Sequence, residues 1–296
     1  MDWGRDLPGW PNAALSGRAA VAPHRWHVQE AGTGETLLLI HGAGASTHSF
    51  RDLLPLLAAD RHVVALDMPG QGFTQAGTTS RCALPLMTTD IAALLDAERW
   101  RPRAVIGHSA GAAVALALAE RLDPAPDVVG INAALGNFEG VAGWLFPALA
   151  KFLALNPFSA NLFTAGGASL SRARRLIEST GSHLDEAGLA LYARLMGDRG
   201  HVDATLKMMA QWNIDPLVER LPGIAARTLF LTGDRDRAVP PSVSDRAAAL
   251  LPDARVLHLP ELGHLAQEED PERVAKEIGH FLDGAPAGLA AGRGSA

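Results

Sequence analysis

The chain has little cysteine, no excess of positive charge and no long hydrophobic run. Its one cysteine, Cys82, excludes an internal disulfide and fits a reducing compartment. The 26 Lys and Arg are outnumbered by 32 Asp and Glu, and the net charge of −6 gives no basic footprint for nucleic acid. Residues 1–6 lack a signal-peptide core, and no run reaches the ~18 apolar residues of a membrane span. We therefore expect a cytoplasmic protein.

The sequence does contain enough apolar residues for a large core, at 48% of 296 residues. Apolar runs of strand length alternate with helical patterns, and most of these runs are continuous, which is typical of a parallel sheet covered on both faces. The predicted strands are 26–29, 36–40, 63–66, 104–106, 128–131, 228–231 and 255–259. The predicted helices are 48–59, 89–97, 110–121, 242–251 and 271–282.

A helical segment interrupts this alternation. The strand signal disappears over 136–213, where the composition predicts several helices rich in Leu, Ala and Phe. We expect residues 1–135 and 214–283 to form the α/β core and 136–213 to form a helical cap over the carboxyl edge of the sheet. The Gly- and Ala-rich tail, 284–296, is expected to be disordered.

The most informative motif is Gly107-His-Ser-Ala-Gly111, which follows a predicted strand and precedes a predicted helix. This is the context in which G-x-S-x-G forms a nucleophile elbow, a sharp turn that exposes a serine hydroxyl at the top of a sheet. Glycines at both ends allow the strand and helix to pass close to the turn. Ser109 is therefore the candidate nucleophile.

A serine nucleophile needs a base and a carboxylate that orients the base. His264 follows the last predicted strand, and Asp234 and Asp236 follow the strand before it, in the chain order serine, acid, histidine. We favour Asp236 over Asp234, since Gly233-Asp-Arg-Asp-Arg-Ala-Val-Pro240 is similar to the G-x-x-D-x-x-V-P segment of many α/β-hydrolases. The strand ending near Ile131 offers Asn132 and no carboxylate close by.

An oxyanion hole requires two backbone N–H donors. Ala110 directly follows the serine, and Ala43 lies in a glycine-containing loop, His41-Gly-Ala-Gly-Ala-Ser46, that directly follows a predicted strand. We expect these two amides to be the donors. The candidate substrate-pocket residues are His41, His108, Trp144, Phe146, Met208 and Trp212. The alternative for the last four is that they form the apolar core between the cap and the sheet.

Two other kinds of site are disfavoured by the motifs. The segment beginning Gly42-Ala-Gly44 superficially mimics a dinucleotide-binding loop, but the third glycine position holds Thr47 and no P-loop lysine is present. Eleven histidines are present without an H-E-x-x-H motif or a second cysteine. We therefore expect neither a cofactor nor a metal.

Together these motifs resemble the α/β-hydrolase superfamily across about residues 25–283. A narrower resemblance, to the magnesium-chelatase accessory proteins of bacteriochlorophyll biosynthesis, extends over nearly the whole chain. It is carried by the segments 2–10, 25–29, 41–50, 67–74, 107–112, 144–147 and 155–158. The sequence departs from the common hydrolase pattern at Met68 and Gln71, where Leu and His are frequent.

The narrower resemblance implies a role at or near magnesium insertion into protoporphyrin IX. Two functions then compete. The chain could be a serine hydrolase acting on an ester or related acyl group, or a non-catalytic accessory that binds a tetrapyrrole or a magnesium chelatase subunit with an inherited triad. On either interpretation a small-molecule ligand, possible chelatase partners and peripheral contact with the photosynthetic membrane are expected.

Overall fold

The computed structural model describes residues 1–77, 81–136, 164 and 169–284. Within these ranges eight strands form one sheet. The strands are β1 Ser16–Val21, β2 His24–Ala31, β3 Thr36–Ile40, β4 His62–Leu66, β5 Pro102–His108, β6 Asp127–Ile131, β7 Thr228–Gly233 and β8 Ala254–Leu259.

The strands lie in the order β1-β2-β4-β3-β5-β6-β7-β8. The β1–β2 and β2–β4 pairs are antiparallel, and every pair from β4 to β8 is parallel. The carboxyl ends of β3 and β5 to β8 therefore meet at one edge. This is the edge at which α/β sheets bind their ligands.

Alternate residues of the parallel strands contribute to two separate cores, because successive side chains of a strand point to opposite faces. On β3, Leu38 and Ile40 join one buried cluster, whereas Leu37 and Leu39 join the other. Both faces are covered, which explains why these strands are continuous apolar runs.

Helices cover both faces of the sheet. Among the described residues they are α1 Trp3–Asp6, α2 Leu53–Leu57, α3 Leu84–Ala97, α4 Ala110–Ala119, α5 Leu170–Ser179, α6 Glu186–Gly197, α7 Arg199–Gln211, α8 Asp215–Arg220, α9 Ser242–Leu250, α10 Ala266–Glu269 and α11 Pro271–Leu282. Short 3₁₀ turns span Leu7–Gly9, Ala13–Leu15, Thr47–Phe50 and Leu221–Gly223. No helix in the described ranges has the length and apolar character needed to cross a membrane.

The predicted fold class, a mostly parallel sheet flanked by helices with a helical insertion, is confirmed. Helices α5 to α8 lie between β6 and β7. The predicted domain boundaries stay a prediction, and much of the predicted cap, 137–163 and 165–168, lies outside the described residues, as does the tail from 285 onward.

Two local predictions were wrong. The edge strand β1 was missed because its residues, Ser-Gly-Arg-Ala-Ala-Val, carry little apolar signal. The single helix predicted over 48–59 is a 3₁₀ turn followed by the short α2. Pro55 explains this break, since its ring has no N–H to donate and excludes the preceding turn of an α-helix.

Candidate active site

The residues predicted to carry chemistry all follow the carboxyl ends of parallel strands. His41 follows β3, Ser109 follows β5, Asp236 lies three residues after β7, and His264 lies five residues after β8. The topology thus brings to one edge of the sheet residues that are far apart in the sequence.

Ser109 adopts a strained backbone conformation between β5 and α4, with φ 52° and ψ −115°. Few non-glycine residues have positive φ, and holding one there costs about 1–3 kcal/mol. Hydrogen bonds stabilise the turn: the Ser109 N–H donates to Ile131 O over 2.9 Å, and the Ser109 carbonyl accepts from the amides of Ala112 and Ala134, each over 3.1 Å. The side chain remains half-buried, which is the arrangement expected of a nucleophile elbow.

The two glycines of the motif are required by close backbone approaches. A Cβ on Gly107 would lie 2.2 Å from the carbonyl oxygen of Gly111. A Cβ on Gly111 would lie 2.2 Å from the carbonyl oxygen of Ile40, at the end of β3. Any side chain at either position would separate α4 from the strands beneath it.

Asp236 and His264 form a buried hydrogen-bonded pair. His264 Nδ1 lies 2.7 Å from Asp236 Oδ2, and their side chains are 11% and 0% exposed. Because the carboxylate only accepts, Nδ1 carries the proton and Nε2 is left as the basic nitrogen. The other carboxylate oxygen accepts from the amides of Ala238 and Val239, each over 2.8 Å, so the acid is held from both sides.

Asp234, the alternative acid, lies away from this pair. It is exposed, and its Oδ1 is 2.7 Å from Nδ1 of His258, another exposed side chain. Nε2 of the same imidazole is 3.2 Å from Asp245. The geometry therefore favours Asp236 as the partner of His264.

The loop after β3 lies directly against the serine. A Cβ on Gly42 would be 3.1 Å from Ser109 Cβ and 2.9 Å from Nδ1 of His108. Ala43 is exposed beside this contact, and Ala110 begins α4. Ala43 therefore follows the residue that contacts the serine, and Ala110 directly follows the serine itself; their role as oxyanion donors stays a prediction.

His41 holds this loop in place. Its Nε2 accepts from the Met68 amide over 2.9 Å, so Nδ1 carries the proton and donates to Gly42 O over 2.7 Å. Burial lowers the pKa of His41, consistent with a neutral ring. A peptide's N–H points opposite to its C=O; holding the Gly42 carbonyl therefore turns the Ala43 N–H away from His41. The His41 side chain is fully buried, and both of its described hydrogen bonds are to backbone groups; its predicted pocket-lining position stays a prediction.

Gln71 and His201 hold the next residue of the loop. The Gly44 amide donates to Gln71 Oε1 over 2.8 Å. The Gly44 carbonyl accepts from Nε2 of His201 over 3.1 Å, while Nδ1 of the same ring accepts from the Gly72 amide over 3.0 Å. Burial lowers the pKa of His201 to about 4, which keeps the ring neutral. The inserted helix α7, which carries His201, is thus bonded to the loop beside Ser109.

Of the remaining predicted pocket residues, the structure describes His108, Met208 and Trp212. Trp144 and Phe146 lie outside the described residues. Met208 is buried, with its sulfur 3.1 Å from Gln71 Nε2, and Trp212 is partly buried against the larger core. His108 is buried, and its Nε2 donates to the carbonyl of His264.

Sequence reasoning assigned no role to Gln71 or His201. Gln71 was recognisable in the sequence as a departure from the common hydrolase pattern. The neighbours of His201 could not be predicted from the sequence, because its helix packs against a loop distant in the chain.

Among the described residues no group of three or more His, Cys, Asp or Glu side chains is placed to hold a metal ion.

Comparison with known protein families agrees with this geometry. Residues 35–271 match the model of the alpha/beta hydrolase fold family. The chain belongs to the α/β-hydrolase family. This confirms the superfamily expected from the elbow and the strand-end residues.

Curated relatives narrow the family. The chain is 45% identical over 284 residues to the magnesium-chelatase 30 kDa subunit of Rhodobacter capsulatus, with 95% of this chain and 99% of that protein covered. It therefore belongs to the same family as that subunit. It is also 30% identical over 258 residues to the pimeloyl-[acyl-carrier protein] methyl ester esterase of Stenotrophomonas maltophilia, covering 86% of this chain and 96% of the esterase.

Solved structures support the fold. A putative lipase from Acinetobacter baumannii superposes with a TM-score of 0.76 at 22% identity, over 96% of each chain. The epoxide hydrolase CorEH superposes with a TM-score of 0.77 at 19% identity, over 91% of this chain and 98% of that one.

Proposed function

We propose that this protein is a serine hydrolase that cleaves an ester or related acyl bond in bacteriochlorophyll biosynthesis, at or near magnesium insertion into protoporphyrin IX. The observation that carries the chemical part is the buried Asp236–His264 pair at the sheet edge that presents Ser109 on a strained elbow. Homology to the magnesium-chelatase 30 kDa subunit supports the biological part.

In the proposed reaction Ser109 Oγ attacks the acyl carbonyl carbon and its proton passes to Nε2 of His264. Asp236 holds the proton on Nδ1 and stabilises the imidazolium that forms. The amides of Ala43 and Ala110 donate to the oxyanion. The imidazolium then protonates the departing alkoxide, which leaves Ser109 acylated. Water, deprotonated by His264, attacks the acyl carbon; the bond to Ser109 Oγ breaks, the acid is released, and the imidazolium returns its proton to Oγ.

A fluorophosphonate probe tests the chemistry without knowledge of the substrate, because it labels only activated serines. Wild type is expected to be labelled, and Ser109→Ala and His264→Ala are expected to lose labelling. Ser171→Ala and His183→Ala, which change exposed residues of the insert, serve as matched controls. A folded wild-type protein that remains unlabelled would contradict the proposed hydrolase.

The second candidate is a non-catalytic accessory that binds a tetrapyrrole or a chelatase subunit. It is favoured by one observation: the 45%-identical relative is named as a chelatase subunit, not as a hydrolase. Complementation of a strain lacking the corresponding gene separates the candidates. The hydrolase predicts that folded Ser109→Ala fails to restore pigment, whereas the accessory predicts full restoration by that variant.

A further inference from the structure

We propose that Asn132 and His108 are positioning residues that hold the backbone of His264, so that its imidazole keeps its place between Asp236 and Ser109. This inference rests on the proposed function, in which His264 is the base. It gives a role to two buried side chains that take no direct part in the proposed hydrolase reaction.

Asn132 directly follows β6 and is 1% exposed. Its backbone has φ 46°, a left-handed conformation that asparagine tolerates better than most residues. Its N–H donates to Leu231 O over 2.8 Å, which ties it to the neighbouring strand β7. The conformation directs the side chain across the edge of the sheet toward the loops after β7 and β8.

The Asn132 carboxamide makes three hydrogen bonds, all to backbone. Oδ1 accepts from the Gly233 amide over 2.7 Å, and Nδ2 donates to the carbonyls of Gly263 over 2.9 Å and His264 over 2.7 Å. These partners also determine the orientation of the carboxamide, because the Gly233 N–H needs an acceptor and the two carbonyls need donors. One side chain thus connects the loop that leads to Asp236 with the loop that carries His264.

His108 provides a second donor to the same carbonyl. Its Nε2 lies 2.8 Å from His264 O, so Nε2 carries the proton. Its ring centroid is 4.9 Å from that of His264, and burial lowers its pKa well below the usual value, consistent with a neutral ring. Because His108 immediately precedes Ser109, this bond connects the nucleophile elbow to the base.

The His264 residue is therefore held at both ends. Its ring bonds to Asp236, and its carbonyl accepts from both Asn132 and His108, which uses both lone pairs. Loss of either donor would let the backbone of the loop shift while leaving the three triad residues chemically intact. A displacement of about 1 Å at a catalytic group can lower a rate on the order of 100-fold.

The first experiment compares Asn132→Ala with wild type by the rate of fluorophosphonate labelling and by the proton resonance of His264 Nδ1–H. A hydrogen bond to a carboxylate places that resonance far downfield, and His264→Gln identifies it. We expect labelling to slow roughly 10- to 100-fold and the resonance to broaden or move upfield. Asn12→Ala is the matched control, since Asn12 also has a positive φ, 56°, and donates from Nδ2 to a backbone carbonyl, that of Arg51, rather than to the loop of His264.

A second pair of variants, at His108, tests the proposal even if Asn132→Ala does not fold. In His108→Gln the side-chain amide can still donate from near the position of Nε2, whereas His108→Leu cannot donate. We expect His108→Gln to retain most of the labelling rate and the downfield resonance, and His108→Leu to lose both. Equal behaviour of Gln and Leu would contradict the proposal.

The two readouts separate this inference from the proposed function. If wild type is not labelled but its downfield resonance is lost in Asn132→Ala, the hydrolase fails while the positioning role stands. If folded Asn132→Ala keeps both the resonance and a labelling rate within twofold of wild type, the positioning role is overturned and Asn132 only supports the fold.

Discussion

A buried ionisable network connects the inserted helices to the core, and it yields a quantitative prediction. The Glu268 side chain is 1% exposed; it is paired with Arg51 and accepts from the Tyr192 hydroxyl over 2.6 Å. Tyr192 lies on the inserted helix α6, while Glu268 lies in α10, just after His264. Burial raises the pKa of Glu268 from 4.5 to about 7, although Arg51 and Tyr192 oppose the increase.

The raised pKa makes folding favour the protonated carboxyl group. Between pH 4.5 and about 7 the folded protein binds a proton that the unfolded chain has released, so this contribution to stability is lost as pH rises through that window. At 1.36 kcal/mol per pKa unit, the loss between pH 5 and pH 8 amounts to about 2–3 kcal/mol.

Glu268→Gln removes the titration and keeps the shape of the side chain. Relative to wild type, its free energy of unfolding should therefore increase by about 2–3 kcal/mol between pH 5 and pH 8. Urea denaturation of both proteins at pH 5, 6, 7 and 8 measures this difference, and taking the difference at each pH cancels the other titrating groups. Glu219→Gln, a change at an exposed glutamate, controls for the loss of one negative charge.

A difference that does not vary with pH would refute the reasoning. A difference of opposite sign would show that Arg51 and Tyr192 outweigh the cost of burying the carboxylate. In that case Glu268 would be ionised throughout the folded state, and the network would be a buried ion pair at neutral pH.

Three further predictions concern the elbow and its supports. Gly111→Ala should destabilise the protein by about 3 kcal/mol, because the added Cβ would lie 2.2 Å from Ile40 O. Gly279→Ala, in α11, is the comparison: its added Cβ would meet no atom within 4 Å outside its own helix backbone and chain neighbours, so it should stabilise the protein by about 0.5–1 kcal/mol. Thermal and urea denaturation check both signs. Ser109→Gly should be about 1 kcal/mol more stable than Ser109→Ala, since glycine relieves the positive φ, and equal stabilities would show that the elbow stores no strain. Gln71→Leu should lose the acceptor for the Gly44 amide and slow fluorophosphonate labelling about tenfold, with an unchanged rate counting against a role for this bond.

Local sequence patterns determined most of the secondary structure. β3 matches its predicted bounds because Thr36 is followed by four consecutive apolar residues, a run of strand length. α11 matches because Pro271 begins it. The G-x-S-x-G motif predicted a turn between strand and helix because only glycine fits the close approaches at its two ends. In each case the constraint acts between neighbours in the chain, so the sequence itself expresses it.

Tertiary structure decided which residues support the site. Asn132 was visible in the sequence as the residue after a strand, but its bonds reach loops about a hundred residues away. His201 lies on an inserted helix, and its bond to Gly44 exists only because the insertion folds back over the sheet edge.

The two histidines expected to line a pocket illustrate the same point. His41 and His108 are adjacent to predicted site residues, yet both are buried and donate to backbone carbonyls. Residue type and position along the chain determined that these imidazoles would lie near the serine. Whether each ring faces a ligand or the backbone depends on groups that packing brings within 3 Å. His108 donates to the carbonyl of His264, 156 residues away, and His41, which donates to the adjacent Gly42, accepts from the amide of Met68, 27 residues away.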